Sequence, residues 1–489
     1  MTVLYDTLTR SPREVTASPD GVLRFYVCGP TIHDYGHVGN FRTFTFTDIA
    51  RRVLEQRGHD VRFVMNITDV EDKIIQRAND AGLDVRDPAR LPDYTRKYED
   101  AFLADCATLR IKKADEHPRA TEHVAGMIEL VSKLIEKGHA YESEGSVYFE
   151  VASLESYGKL SGCTADSTRA GARVDCDEYD KEDARDFVLW KASKDGEPVW
   201  DSPWGGGRPG WHLECSVMST KSLGSNTLDL HAGGEDLVFP HHENEIAQSE
   251  GAHGGTYCKH WIHSAHLRVD GQKMSKSLGN FYTLRDLVEK GHDPLAIRYL
   301  LASVHYRAPL NLTDDALEAA GKAVERLNEF SRRVVAAKPA GAGEDDELAD
   351  LVEKHSAEFD ANLDDDLCTS GALGALFSVV REVNPAIEKN EASERTLNAS
   401  RELLEKFDAI FACLKDGMEA KSVVREIAGK SFEATALGDV PQEILEKVVA
   451  RAEARAAKDY AAADTLRDEV AGAGFVVEDT RDGARVKAG

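Results

Sequence analysis

The sequence of 489 residues contains no apolar run that approaches the roughly 20 residues needed to span a membrane. The N-terminal segment Met1–Val15 carries Arg10 and Arg13 where a secretory signal has an apolar stretch. These two absences argue against a membrane protein and against a secreted one. We therefore expect a cytoplasmic protein with no membrane partner.

Cysteine is sparse, and none of it is arranged in a Cys-x-x-Cys pair. Such dispersal argues against a disulfide framework, so most thiols are expected to be small buried side chains unless metal-binding partners lie near them. The 8 cysteines stand at positions 28, 106, 163, 176, 215, 258, 368 and 413.

The chain also lacks a net basic charge. It has 60 lysines and arginines against 86 acidic residues, for a formal charge of -26. Because phosphate binding depends on local lysine and arginine, this balance argues against a general nucleic-acid coat. An RNA partner would need a basic face confined to part of the chain. The length itself exceeds what one hydrophobic core usually holds, so several domains are expected.

The beginning of the chain alternates between strand and helix patterns. Leu23–Cys28 is rich in β-formers and ends at a Gly-Pro pair, a helical pattern begins at Thr43, and Val61–Ile67 is again strand-like. This order predicts a β-α-β unit and hence an α/β sheet. Ligands of such sheets bind beyond the carboxyl ends of strands, so the loop after the first strand is expected to face a ligand.

Two changes of pattern follow. Between about residues 115 and 200, a helical Thr121–Lys137 and a strand-like Ser146–Val151 lead into small and charged residues, as in an insertion. The α/β pattern resumes near Leu228, and Thr256–His266 is strand-like.

From Thr313 onward almost every segment has helical periodicity. Thr313 is expected to cap a helix with an acidic first turn. Ser431–Asp439 is interpreted as a linker before another helix. The apolar face of the first helix is formed by Leu317, Val324, Leu327 and Val334.

A glycine- and histidine-rich segment, Gly29–Asn40, lies between the first strand and the first helix. Glycines let a phosphate approach the backbone, a helix N-terminus favours negative charge, and His37 and Asn40 add side-chain donors. A turn without a ligand is the alternative for this segment alone.

The second candidate is the loop Lys273-Met274-Ser275-Lys276-Ser277, which has glycines on both sides. Its two lysines can reach a triphosphate, whereas a solvated surface loop is the alternative. The two segments together indicate a nucleotide site more strongly than either one alone.

Two further segments combine histidine with acidic residues. Gly210–Cys215 reads Gly-Trp-His-Leu-Glu-Cys, and Phe239–Glu245 reads Phe-Pro-His-His-Glu-Asn-Glu. Because Pro240 suits a helix start, His241 and Glu245 are expected to share one helical face.

With Cys28 and Cys215, that face offers two thiolates, an imidazole and a carboxylate, a set that suits zinc. His242 is a rival for the imidazole ligand. Buried free cysteines, a core histidine and an acidic helix face are the alternative without a metal, because the spacing alone does not specify a metal site.

His37-Val38-Gly39-Asn40 and the Lys273–Ser277 loop resemble the two signatures of class I aminoacyl-tRNA synthetases. Asn40 stands where that signature commonly has a second histidine; it still offers an amide donor, so ATP binding is expected to persist. With the metal-binding segments, the chain resembles the cysteinyl-tRNA synthetase family along nearly its whole length. Further similar segments are Asn66–Val70, Pro118–His123, Asp293–Tyr299, Lys458–Asp464 and Glu478–Thr480.

The resemblance implies an α/β fold: a Rossmann-like catalytic domain with a parallel sheet, an inserted connective domain, and α-helical C-terminal domains. The implied divisions are residues 1–114 and 201–265 for the two halves of the catalytic domain, 115–200 for the insertion, 266–312 for the Lys-Met-Ser-Lys-Ser loop and stem contacts, 313–430 for a helical tRNA-binding bundle, and 431–489 for an anticodon-binding domain.

The resemblance also implies the roles of individual residues. One zinc ion per chain would bind Cys28, Cys215, His241 and Glu245. A cysteine pocket would use Gly29, Thr68, Trp211, His231 and Asp236. ATP with Mg²⁺ would bind His37, Gly39, Asn40, Lys273, Ser275 and Lys276, of which His37, Asn40, Lys273 and Lys276 would be catalytic.

The implied activity is ATP-dependent activation of L-cysteine and its transfer to the 3' end of cysteine tRNA, by an enzyme expected to be a monomer. One alternative is the related cysteine ligase of mycothiol synthesis, whose family is shorter and lacks the far C-terminal tRNA-binding part. Another is a non-catalytic, zinc-dependent RNA-binding homologue.

Overall fold

The computed structural model describes residues 1–163, 186–274, 279–340, 346–415, 422–427, 430–437, 440–479 and 483–488. The chain divides into two compact units. One comprises residues 1–294, 300–316 and 361–370, and the other residues 295–299, 317–360 and 371–489. Among the described helices, none combines the length and the apolarity that a membrane crossing requires. The 7 cysteines in the described residues are free thiols, as their dispersal predicted.

The N-terminal segment forms a hairpin and the predicted β-α-β unit. Its two parallel strands pair from Val22 with Asp60 to Val27 with Met65. The helix between them begins earlier than its periodicity predicted, because His37 and Asn40 cap its first turn. The elements are β1 (Val3–Asp6), β2 (Ser11–Glu14), β3 (Val22–Val27), α1 (Val38–Gln56), β4 (Asp60–Met65), α2 (Asp72–Asp80) and α3 (Pro92–Thr108).

A separate antiparallel sheet follows, in the region where the sequence pattern changes after residue 115. Its strands are hydrogen-bonded in chain order, and the last strand lies beyond the expected boundary at residue 200. The elements are α4 (Val124–Glu136), β5 (Ala140–Ser143), β6 (Ser146–Phe149), β7 (Phe187–Ala192) and β8 (Gly207–Pro209).

The chain then returns to the parallel sheet. The strand order is β10-β9-β3-β4, so the direction of winding reverses between β3 and β9, where α/β sheets bind ligands. The elements are α5 (Trp211–Leu223), β9 (Leu230–Gly234), α6 (Glu243–His253), β10 (Trp261–Ser264), β11 (Leu267–Val269), β12 (Gln272–Lys273), α7 (Leu284–Glu289), α8 (Pro294–Ser303) and β13 (Leu310–Leu312).

Long helices follow Thr313 as far as Phe411, as the helical periodicity predicted, whereas the described chain from Ser422 onward also contains four strands. The Thr313 hydroxyl accepts a hydrogen bond from the Ala316 amide at 3.0 Å, as expected of a cap. The predicted apolar face of the first helix is buried throughout. The helices are α9 (Asp314–Ala336), α10 (Glu347–Asp364), α11 (Thr369–Glu388) and α12 (Glu394–Phe411).

The interpretation of Ser431–Asp439 as a linker is wrong. Lys430–Leu437 is the second strand of a four-stranded sheet, which packs with two helices around its own apolar core. The sequence pattern did not indicate a strand because alanine, lysine and glutamate have low β-propensity. Hydrogen bonding to a strand that is distant in the sequence stabilises the extended conformation instead. The elements are β14 (Ser422–Ile427), β15 (Lys430–Leu437), α13 (Gln442–Ala456), α14 (Tyr460–Gly472), β16 (Phe475–Asp479) and β17 (Gly483–Ala488).

A buried arginine on α1 stabilises the unit that contains residues 1–294. The guanidinium of Arg42 donates to the backbone carbonyls of Leu301, Val304 and His305. These carbonyls lie at and just after the end of α8, where a helix leaves carbonyls without partners. Arg42 therefore satisfies several buried acceptors at once.

Arg42→Met should lower the free energy of unfolding by about 3 kcal/mol, because it leaves buried carbonyls without donors. Urea unfolding followed by circular dichroism would measure the loss. The matched control is Arg62→Met, since Arg62 is 47% exposed and pairs with Glu116 at 3.5 Å; it should cost less than about 0.5 kcal/mol. Equal losses in the two variants would contradict the role assigned to Arg42.

Candidate metal and substrate site

Three separate segments bring four potential metal ligands together. Cys28 directly follows β3, Cys215 lies on α5, and His241 and Glu245 lie around the start of α6. All four are buried, and their ligand atoms lie within 4.8 Å of one another. The two Sγ atoms are 3.6 Å apart, and Cys28 Sγ lies 3.7 Å from Glu245 Oε1. The structure thus assembles the set that the sequence proposed for zinc.

The expected helix start at Pro240 needs a correction. A short turn over Val238–His242 precedes α6, which begins at Glu243. The turn still places His241 Nε2 3.2 Å from Glu245 Oε1. The predicted approach of these two side chains is therefore present although His241 precedes the helix.

The rival ligand His242 is equally close. Its Nε2 lies 3.2 Å from Cys28 Sγ and 3.8 Å from Glu245 Oε1. Cys28, His231, His242 and Glu245 form a second group whose ligand atoms also lie within 4.8 Å of one another. Both groups share Cys28 and Glu245, so they are alternatives for one ion.

The chemistry of these donors fits zinc. Burial raises the pKa of Cys28 well above its ordinary value, so its thiol needs a nearby cation to ionise. Burial lowers the pKa of His241 to about 3, which leaves the neutral imidazole that binds metals. Burial also raises the pKa of Glu245, but its interactions with His231, His241 and Tyr257 together outweigh this effect, and the net shift is downward. Two sulfurs, an imidazole and a carboxylate suit Zn²⁺.

The ligands have partners of their own. The Trp211 ring stacks on His241 with centroids 4.2 Å apart, and His212 Nδ1 lies 3.0 Å from His241 Nδ1. On the other histidine, His242 Nδ1 lies 2.7 Å from His263 Nε2. Such outer contacts fix the orientation of metal-binding imidazoles.

The residues expected to bind cysteine differ in their solvent exposure and in their contacts. Trp211 is 37% exposed, and Asp236 is exposed just beyond β9. Thr68 is buried, and its hydroxyl donates to Glu214 Oε2 at 2.7 Å. His231 is fully buried, with Nε2 2.9 Å from Glu245 Oε2. His231 therefore contacts a potential metal ligand directly.

Gly29 lies where the chain passes closest to a neighbouring strand. Its amide donates to Asn66 Oδ1 at 2.8 Å. A Cβ at this position would lie 1.8 Å from the backbone oxygen of Asn66, so no other residue fits without a shift. The Asn66 amide group also contacts the site, with Oδ1 3.7 Å from Cys215 Sγ.

Sequence reasoning did not select Asn66, Glu214 or Tyr257 as site residues. All three are buried, and burial raises the pKa of Glu214 well above its ordinary value. For Asn66 and Glu214 the available signal was a polar residue next to a strand or within a helix that is otherwise buried, which is costly unless it is paired. Tyr257 lies between α6 and β10, where the sequence offers no such signal.

The first nucleotide signature forms the start of α1. His37 Nδ1 accepts from the Asn40 amide at 3.2 Å, and Asn40 Oδ1 accepts from the His37 amide at 3.1 Å. Asn40 thus completes a capping box. This arrangement uses the carboxamide oxygen of Asn40 in the cap of the helix.

The second signature lies beside the first. The Val38 amide donates to the Tyr282 carbonyl at 2.9 Å, and a Cβ on Gly39 would lie 3.3 Å from Met274 Cε. Lys273 ends the short strand β12 and is exposed. Ser275 and Lys276, the other expected ATP contacts in this loop, lie outside the described residues.

Comparison with known proteins decides the family. The model for the tRNA synthetases class I (C) catalytic domain matches residues 14–322. Residues 358–415 match the DALR domain, and residues 438–486 match the cysteinyl-tRNA ligase anticodon binding domain. The chain belongs to the cysteinyl-tRNA synthetase family.

Relatives in this family match over their full length. The cysteine-tRNA ligase of Solibacter usitatus is 48% identical over 483 residues, which cover 99% of this chain and 98% of the relative. That of Koribacter versatilis is 44% identical, with 99% of each chain covered. The resemblance that the motifs predicted is confirmed, and the chain is an enzyme of the class I aminoacyl-tRNA synthetases.

Solved structures support the fold. Mycobacterium tuberculosis methionyl-tRNA synthetase in complex with methionyl-adenylate matches with a TM-score of 0.61 and 15% identity, covering 80% of this chain and 92% of the other. A putative arginyl-tRNA synthetase from Campylobacter jejuni matches with a TM-score of 0.53 and 14% identity, covering 81% and 93%. The α/β fold with helical C-terminal domains, expected of a cysteinyl-tRNA synthetase, is therefore confirmed.

Gly29→Ala should lower the free energy of unfolding by about 2 kcal/mol or more, because the added Cβ overlaps Asn66. Urea unfolding followed by circular dichroism would measure the loss. The control is Gly374→Ala on α11, where nothing lies within 4 Å of the added Cβ; it should be neutral or stabilising by about 0.5–1 kcal/mol. Full stability of the Gly29 variant would contradict the close approach.

Proposed function

We propose that this enzyme activates L-cysteine with ATP and transfers it to the 3'-terminal adenosine of cysteine tRNA, with zinc selecting the substrate thiol. The observation that carries the proposal is the buried convergence of Cys28, Cys215, His241 and Glu245 at the carboxyl end of β3. Potential ATP contacts begin in the loop that follows the same strand.

A metal gives this enzyme a means of rejecting serine. Serine and cysteine differ by one atom, and a pocket that judges size alone discriminates only about 10- to 200-fold. Bound at Cys28, Cys215, His241 and Glu245, zinc would supply a Lewis acid that prefers a thiolate to a hydroxyl. Trp211, which stacks on His241 and is partly exposed, would form a wall of the cysteine pocket.

The other expected pocket residues would act on the rest of the substrate. Gly29, Thr68 and Asp236 lie at the carboxyl ends of β3, β4 and β9, the edge at which parallel sheets bind ligands. His231 is proposed for the same pocket, although its burial beside Glu245 favours a supporting role.

Activation needs alignment and charge stabilisation. The cysteine carboxylate attacks the α-phosphate of ATP, forms cysteinyl-adenylate and expels pyrophosphate. His37, Asn40, Lys273 and Lys276 would stabilise the developing charge, Gly39 and Ser275 would contact ATP, and Mg²⁺ would accompany its phosphates. The proximity of Gly39 to Met274 supports a shared nucleotide site.

The C-terminal region indicates which molecule accepts the activated cysteine. A match to an anticodon binding domain over residues 438–486 favours tRNA over the aminosugar acceptor of the mycothiol ligase. Residues 115–200, 266–312 and 313–430 are proposed to contact the acceptor end and stem of the tRNA. A cytoplasmic monomer stays a prediction.

The proposed zinc site is tested by metal content and activity together. The protein should carry one zinc per chain, and Cys215→Ser should lose both the zinc and cysteine-dependent exchange. His242→Gln should keep the zinc if His241 is the ligand. The number of zinc ions per chain, measured by mass spectrometry of the metal, distinguishes the two ligand groups. If Cys215→Ser kept its zinc and His242→Gln lost it, the ligands would be those of the group that contains His231.

Removing the C-terminal domain should separate activation from transfer. Its core is self-contained, so a chain that ends at Lys415 removes β14–β17 as a whole, whereas a cut at Asp439 would divide the sheet. The shortened chain should keep cysteine-dependent exchange and lose most aminoacylation of cysteine tRNA. Point variants are less suitable, because Arg451 and Arg455 already pair with Asp479.

Both assays are run on the same folded preparation, with the full chain as the control. Equal loss of exchange and aminoacylation would show a structural role for the domain, and full aminoacylation would remove it from tRNA recognition. Aminoacylation by the full chain with and without a metal chelator tests whether the ligase reaction depends on the proposed metal.

A further inference from the structure

The two carboxylate oxygens of Glu245 have different surroundings. Oε1 lies 3.2 Å from His241 Nε2 and 3.7 Å from Cys28 Sγ, among the potential metal ligands. Oε2 lies 2.9 Å from His231 Nε2 and 2.9 Å from the hydroxyl of Tyr257. One oxygen therefore faces the metal site, and the other is held by two donors.

Tyr257 is well fixed for this contact. Its ring is 1% exposed, its amide donates to Glu250 Oε1 at 3.1 Å, and its carbonyl accepts from the Leu228 amide at 2.8 Å. A phenol has one proton and the carboxylate only accepts, so Tyr257 donates to Glu245. Ser219 Oγ lies 2.8 Å from the same hydroxyl.

We propose that Tyr257, together with His231, is a positioning residue that holds Glu245 Oε2 and so presents only Oε1 to zinc. This inference rests on the proposed zinc site. A carboxylate free to rotate can bind a metal through both oxygens, whereas a held one takes a single position. A single oxygen ligand leaves more of the metal's coordination for the thiolate of the substrate.

The alternative is a tyrosine that only fills the core. Tyr257→Phe separates the two roles because it keeps the ring and removes the hydroxyl. Ser219 keeps an acceptor in the variant, since its Oγ lies 3.4 Å from the Ser216 carbonyl. A loss of metal affinity in this variant therefore reports on the hydrogen bond to Glu245.

The matched control is Tyr306→Phe. Tyr306 is 4% exposed and its hydroxyl donates to the carboxylate of Asp366, which belongs to neither metal-binding group. Both variants remove one buried phenol-to-carboxylate hydrogen bond, so their general losses of stability should be similar. Only Tyr257→Phe should affect the metal.

The full-length protein and both variants are loaded with Zn²⁺, and transfer of the metal to a chromogenic chelator is followed. Tyr257→Phe should bind zinc roughly 10- to 100-fold more weakly than the parent, and Tyr306→Phe should match the parent. With Co²⁺ in place of zinc, the visible absorption bands should change in Tyr257→Phe alone, because they respond to carboxylate coordination.

The outcomes separate this inference from the proposed function. A parent that retains no zinc would overturn the zinc site and the inference with it. A parent with one zinc, together with a Tyr257 variant whose zinc affinity and cobalt spectrum match those of the Tyr306 variant, would overturn the role of Tyr257 and leave the zinc site in place.

Discussion

The contact between Gly29 and Asn66 fixes the part of the sheet on which the site depends. A Cβ on Gly29 would lie 1.8 Å from the Asn66 carbonyl, so the chain can pass there only with a glycine. The residue before it is Cys28, and the Asn66 side chain also approaches Cys215. One close approach between β3 and β4 therefore aligns one sulfur ligand and orients a polar group toward the other.

The interior around this contact holds more polar groups than a stable core requires. Glu214, His231 and Glu245 are all buried, and each would be costly without a partner. The structure pairs each of them with another of the three or with Thr68 or Tyr257, and leaves only Nδ1 of His231 without a hydrogen-bond partner among these contacts. Replacing such a network with apolar residues often stabilises a protein, so its presence favours a functional explanation over a purely structural one.

The sequence predicted those features of the structure that depend on residues close together in the chain. The β-α-β unit and the buried face of α9 follow from periodicity, and the four potential metal ligands follow from residue chemistry and family resemblance. The strand β15 did not follow, because its pairing with β17 joins residues distant in sequence. The position of His231 beside Glu245 was missed for the same reason, since only the fold brings β9 and α6 together.

The hydrogen bonds that the potential ligands make with neighbouring side chains also indicate which imidazole binds the metal. In the group with His242, His231 is itself a ligand, and binding through its Nε2 would replace the 2.9 Å contact with Glu245 Oε2. In the group with Cys215 and His241, Glu245 keeps its contact with His231 through Oε2, because Oε1 is the oxygen that lies beside His241 and Cys28. His241 presents Nε2 to Glu245 while Nδ1 faces His212, the arrangement that orients metal-binding histidines. The existing hydrogen bonds therefore favour Cys28, Cys215, His241 and Glu245, and they leave His231 to support the carboxylate.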